Sequence, residues 1–140
     1  MSLFNVMDIS STGMAAENVR LNTTASNIAN ANSVSSSIDT TYKARHPVFA
    51  AALDKATSDQ SKGVGVQVLG VVESSKPLIQ EYAPHNPMAN EEGYIFKPNV
   101  NVIEEMADML SASKAYETNV QVADTTKRIY RRVLQLGQSQ

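Results

Sequence analysis

The sequence predicts a mainly α fold with a small β element: long N- and C-terminal helices pairing in a coiled-coil-like bundle, with a short central β-hairpin or sheet. Three observations predict it. Near the C-terminus, residues recur at alternating spacings of four and three through Val102, Met106, Met109, Ser113, Tyr116, Val120, Ala123, Lys127, Tyr130 and Leu134. A weaker stripe of the same period runs through Phe4, Met7, Ser11, Met14, Asn18, Leu21, Ala25, Ile28 and Asn32. Between them the period drops to two, as in Val64, Val66 and Val68. A mean spacing of about 3.5 residues is the seam period of helices that coil around partners, and alternation is the pattern of a strand.

The first element spans residues 1–32, with no Pro and a single Gly. Met7, Met14, Leu21 and Ile28 fall on one line, while the flanking line of Phe4, Ser11, Asn18 and Ala25 is mostly small or polar. Ser, Thr and Asn compete with the backbone for hydrogen bonds, so this helix is expected to need a partner to order it. Residues 30–41 read as a polar, low-complexity loop. Tyr42 to Leu53 reads as a strand or a short helical segment, and residues 57–62 as a polar break. Residues 64–73, 77–82 and 93–97 then read as three short strands, with a turn at Pro84-His85-Asn86-Pro87. Three segments follow from this reading: 1–32, 33–98 and 99–140.

The last segment opens on Asn99 or Asn101 as an N-cap. Glu104, Glu105 and Asp108 lie in its early turns and Lys127, Arg128, Arg131 and Arg132 near its end, an order that complements the helix dipole. Asp124 and Arg128 form an i,i+4 pair, and Gly137 is the expected terminator. A helix from about Val100 to Leu136 is about 55 Å long at 1.5 Å per residue. A compact globule of this chain length is only roughly 30 Å across. The helix is therefore expected to project or to pack against something equally long.

Composition narrows the function. Of 140 residues, 42% are apolar but only 6% aromatic, with no Trp, so the core rests on aliphatic side chains and Met. A net charge of −2 gives no global attraction to nucleic acid or anionic membrane. The absence of Cys excludes disulfides, thiolate metal sites and a Cys nucleophile. No apolar run approaches the roughly 20 residues of a membrane span. Residues Met1 to Asp8 lack the basic and apolar regions of a secretory signal peptide.

No constellation favours an enzyme, and no catalytic, metal or cofactor site is expected. Glu104, Glu105 and Asp108 lack the Glu-x-x-His pairs of a helical carboxylate metal site. His46 and His85 precede turn residues without an accompanying nucleophile motif. The glycines at 63, 65 and 70 lie in a strand pattern, not in a strand-to-helix phosphate loop. In the cluster from Lys127 to Arg132, Ile129 and Tyr130 interrupt the bases as packing positions. That cluster suits a helix-end contact with a neighbouring subunit better than a nucleic-acid groove. Asn22-Thr23-Thr24 matches a glycosylation sequon but falls inside the helical stretch.

Two stretches carry a family resemblance. Met1 to Ser10, followed by Arg20 to Asn32 with Asn22, Asn27, Asn30 and Asn32, resembles the N-terminal signature of bacterial flagellar rod and hook proteins. Pro98 to Met109, with Asn99, Asn101, Glu105 and Met106, and then Ala112 to Val120, with Tyr116 and Asn119, resembles their C-terminal signature. The middle, with Tyr42-Lys43-Ala44-Arg45, Pro47-Val48-Phe49 and Val64-Gly65-Val66, is similar to the short rod members of that family. Many axial proteins carry a Gly before the Tyr-Lys pair, whereas Thr41 stands here.

The resemblance implies a structural subunit of the basal-body rod, exported without a cleavable signal peptide by the flagellar type III apparatus. It implies assembly across the periplasm, with residues 1–32 and 99–140 forming a helical tube domain. The implied partners are further copies of itself, rod subunits of the FlgB, FlgF and FlgG types, a FliE-type rod-base protein and the export apparatus. On this reading the assembly interface comprises Phe4, Met7, Met14, Leu21 and Ile28 with Val102, Met106, Met109, Tyr116, Val120, Tyr130 and Leu134, packing both within the chain and between neighbours. The alternative is a helical adaptor or chaperone-like binding protein that holds one partner in a small, fixed stoichiometry.

Overall fold

A computed structural model describes residues 2–52 and 63–138 of the chain. Among these residues two helices flank four strands: α1 (Leu3–Asn30), β1 (Arg45–Ala52), β2 (Gly65–Glu73), β3 (Ile79–Tyr82), β4 (Tyr94–Lys97) and α2 (Val102–Gln138). The fold is mainly helical with a small β element, as expected. The stretch from Tyr42 supplies a strand, so the described residues of the middle form four strands in two two-stranded sheets, β1-β2 and β3-β4. Pro47 is compatible with β1 because both strands of a two-stranded sheet are edges, where Pro is tolerated. The polar break expected at 57–62 lies outside the described residues.

Ser2 caps α1, its Oγ accepting the Asn5 amide at 3.2 Å. Asn101 caps α2, accepting the Ile103 amide at 3.1 Å. The hydroxyls inside the helices bond back to their own turns: Ser10 to the Val6 carbonyl at 2.9 Å and Thr126 to Val122 at 2.8 Å. Such back-bonding lets polar residues occupy helix interiors without leaving a buried group unpaired. Helix α2 runs through Gly137, which does not adopt the left-handed conformation of a C-terminal cap. The basic cluster therefore ends before the last turn, which carries no basic residue. The Asp124–Arg128 pair forms at 3.3 Å.

The chain divides into two compact units. One comprises Met1–Val19, Val48–Gly70 and Ser111–Gln140, and the other Arg20–Pro47 and Val71–Leu110. In the first, the buried residues are small: Ser10, Ala16, Ala112 and Thr126. In the second, Ile95, Phe96, Pro98 and Ala44 are buried together with Asn27, Thr24, Thr41 and Glu105. There β3 and β4 pair antiparallel, with Ile79 opposite Lys97 and Tyr82 opposite Tyr94. Ser35 extends that sheet beyond β4, exchanging backbone bonds with Phe96 at 2.9 and 3.0 Å. The loop before β1 is thus tied to the sheet.

Candidate assembly interface

In the second unit, two asparagines organise the segment that leads into β1. Asn27 is fully buried on α1. Its side-chain oxygen accepts the Arg45 amide at 2.9 Å and the Tyr42 hydroxyl at 2.8 Å, and its Nδ2 donates to the Arg45 carbonyl at 2.8 Å. Asn99, just before α2, accepts the Ala44 amide at 2.8 Å and donates to the Lys76 carbonyl at 2.6 Å. The Ser74 amide donates to the Ala44 carbonyl at 2.7 Å. A primary amide has a donor and an acceptor side by side, so it pairs with a backbone as a strand does. Backbone that would be orphaned between the elements is thereby satisfied.

Charged groups surround this knot. The Arg45 guanidinium lies 5.4 Å from the Tyr42 ring centroid and 3.6 Å from Glu73. Burial raises the Tyr42 pKa; Arg45 opposes that shift, while Glu105 and Glu73 add to it by disfavouring the phenolate. Glu105 is 4% exposed, and its Oε2 has no hydrogen-bond partner among the described residues. Its neighbours in the first turns of α2 are paired: Glu104 with Lys76 at 3.5 Å, and Asp108 with Arg20 of α1 at 2.7 Å.

In the first unit the two helices meet through small residues. Gly13 backs directly onto Asn119, whose Nδ2 a Cβ at Gly13 would meet at 2.9 Å. Thr12 faces β2: its Oγ1 accepts the Val66 amide at 3.1 Å, and a Cβ at Gly65 would approach that oxygen to 2.6 Å. Toward the start of α1, the rings of Phe4 and Tyr130 pack edge to face at 5.3 Å and 67°.

Within the chain, these contacts fall largely beside the expected stripe. The buried line of α2 runs through Glu105, Ala112 and Thr126, with Asn119 half-buried beside Gly13 and with Met109, Tyr116 and Ala123 half-buried alongside. Met109, Tyr116 and Tyr130 belong to the predicted stripe, but Met106 and Leu134 do not pack inward, being 60% and 48% exposed. Val102 and Val120 are exposed as well. On α1 the buried line holds Ser10, Ala16, Thr23, Thr24 and Asn27, whereas Phe4 and Met7 are exposed and Met14, Leu21 and Ile28 half-buried. Close helix contact selects small side chains and leaves the larger ones on the outer faces.

Of the signature residues, Asn27, Asn99 and Asn101 have the structural tasks described above. Asn30 bonds back to the Ser26 carbonyl at 2.8 Å, and Asn22 and Asn32 are exposed on or beside α1. His46 and His85 are exposed. Gly13, Gly65 and the Ser2 cap were not among the expected positions. The isolated Gly in an otherwise Gly-free helix was the available signal for the first.

Comparison with known proteins completes the picture. Residues 7–35 match the family model described as "Flagella basal body rod protein". Residues 91–136 match that described as "Flagellar basal body rod FlgEFG protein C-terminal". The "Flagellar basal-body rod protein FlgC" of Salmonella typhimurium is 41% identical over 138 residues, covering 99% of this chain and 100% of that protein. The protein of the same name from Aquifex aeolicus is 37% identical, over 96% and 97% of the two chains. That from Borreliella burgdorferi is 32% identical, over 99% of each.

Proposed function

Because this chain belongs to the FlgC family of flagellar basal-body rod proteins, we propose that it builds the proximal rod through the outer faces of its two helices. It is a structural subunit and not an enzyme. The observation that carries the assembly proposal is the sorting of side chains on α2. Small and polar residues fill the contact within the chain, while Ile103, Met106, Leu110, Val133, Leu134 and Leu136 stand 48–79% exposed. Large apolar side chains left exposed in that number at the two ends of one helix mark interaction surfaces.

On this reading Phe4, Met7, Val102, Met106, Val120 and Leu134 bury against neighbouring subunits. Met14, Leu21, Ile28, Met109 and Tyr116 share their half-buried surface between the chain and its neighbours, and the exposed Tyr130 does so beside Phe4. The neighbours are copies of this chain and rod subunits of the FlgB, FlgF and FlgG types, with a FliE-type protein at the base. The chain travels through the flagellar export apparatus without a cleavable signal and transmits torque across the periplasm as part of the drive shaft. Helices rich in Ser, Thr and Asn suit this route, because a chain of modest intrinsic helicity passes an export channel unfolded and orders on assembly. No helix among the described residues is long and apolar enough to cross a membrane.

Deletion of residues 2–20 tests the proposal. Rods isolated from such cells should lack the chain, and the cells should not swim. Normal rods and normal swimming would refute it.

A further inference from the structure

The first turns of α1 and the later turns of α2 enclose an apolar notch of about 250 Å³, walled by Leu3, Phe4, Met7 and Tyr130 and edged by Lys127. Its volume falls below the roughly 300 Å³ at which small-molecule pockets begin and suits a single large aliphatic side chain. Lys127 has no ion pair among the described residues, so the rim offers an unused positive charge. At the opposite end of α2, Ile103 is 79% exposed, the largest exposure among the exposed large apolar residues. The next residue is Glu104, whose pairing with Lys76 is long, at 3.5 Å, between side chains 62% and 67% exposed.

We propose that Ile103 of a second copy of this chain enters the notch, with its Glu104 carboxylate meeting Lys127. This inference rests on the rod reading above and names the partner of one of its faces. Ile103 and Lys127 stand 24 residues apart on α2, about 36 Å at 1.5 Å per helical residue, so their meeting is one between chains. The contact is therefore head to tail. A heterologous contact of that kind leaves a free knob and a free notch after each addition, so it propagates into a ring or an open filament instead of closing on a two-fold dimer. Apolar insertion supplies the burial; the carboxylate and ammonium fix the orientation in which the knob enters.

The chain has no Cys, which makes crosslinking specific. Full-length chains carrying Ile103→Cys and Met7→Cys are mixed at high concentration and, separately, co-expressed for rod isolation. Mild oxidation should yield a disulfide-linked dimer at least about tenfold above the control pair Ile79→Cys and Met7→Cys. Lys127→Glu in the notch-bearing copy should reduce that yield about fivefold, the size expected for one exposed ion pair. Glu104→Lys in the knob-bearing copy should restore it. A yield no higher than control, failure of the charge swap, or capture by Met7→Cys of a different rod protein in place of a second copy would each overturn the proposal. Rods that contain the chain in normal amount while the crosslink is absent would sink this contact and leave the rod reading standing. Rods without the unmodified chain would sink both.

Discussion

Asn27 and Asn99 hold successive backbone amides of one loop: Asn27 accepts from Arg45 at 2.9 Å and Asn99 from Ala44 at 2.8 Å. One asparagine comes from the N-terminal helix and the other from the approach to the C-terminal helix. The segment leading into β1 is therefore satisfied only when both ends of the chain are in place. Local order in this unit depends on residues far apart in sequence.

Removing either amide should loosen this unit. Asn27→Ala strands the part-buried Arg45 amide and carbonyl and should cost about 2 kcal/mol; Asn99→Ala should cost about 1–2 kcal/mol. Asn32→Ala, on an exposed side chain, should stay within about 0.5 kcal/mol. Urea unfolding followed by far-ultraviolet circular dichroism measures all three, and equal midpoints for Asn27→Ala and Asn32→Ala would contradict the role of the knot.

Tyr42 gives the knot a pH signature. Burial holds its folded pKa above the ordinary value of 10.0, against the opposing effect of Arg45 and with further contributions from Glu105 and Glu73. The folded chain keeps the proton more tightly than the unfolded one. The resulting stabilisation is complete below pH 10.0 and is lost as pH rises from there through the folded pKa. Tyr42→Phe should cost about 1 kcal/mol at neutral pH by losing the bond to Asn27, and should flatten this part of the alkaline decline. Denaturant midpoints across the alkaline range test it; identical slopes for the two proteins would count against it.

The approach of β2 to α1 predicts a non-additive pair. Gly65→Ala drives a methyl against Thr12 Oγ1 and should destabilise by about 1–3 kcal/mol. Thr12→Ala alone leaves the Val66 amide without its acceptor and should cost about 1 kcal/mol. Together they should cost less than their sum, because the second change removes the atom the first one strikes. Thermal melts of the four proteins decide, with simple additivity as the adverse result.

Much of this was legible in the residues. The two helices, their approximate ends, the polar loop, the turn at Pro84 to Pro87 and the Asn101 cap all follow from local periodicity and capping chemistry. The face each helix turns inward did not. A 3.5-residue period is carried equally well by the line through Met106 and Val120 and by the line through Ala112 and Asn119. Apolar content favoured the first, whereas the contact between Gly13 and Asn119 needs small side chains and selects the second. Nor do sequence patterns reveal which backbone amides a loop leaves unpaired, so the task of Asn27 emerged only when Arg45 was placed beside it.

The Arg20–Asp108 pair, at 2.7 Å with side chains 27% and 46% exposed, should couple α1 to α2 modestly. A double-mutant cycle with Arg20→Ala and Asp108→Ala should give about 0.5–1 kcal/mol, shrinking in high salt. A coupling near zero at low salt would mean that the pair contributes no net stability.

The claim that the rod assembles on the outer face of α2 is tested most directly by Met106→Glu. Its side chain is 60% exposed, so the substitution should leave the unfolding midpoint of the purified chain within about 0.5 kcal/mol of the parent. Quantifying this chain in rods isolated from cells that carry only Met106→Glu is the decisive measurement. The account predicts that the chain is missing from those rods and the cells are non-motile. A normal complement of the Met106→Glu chain in functional rods would contradict it.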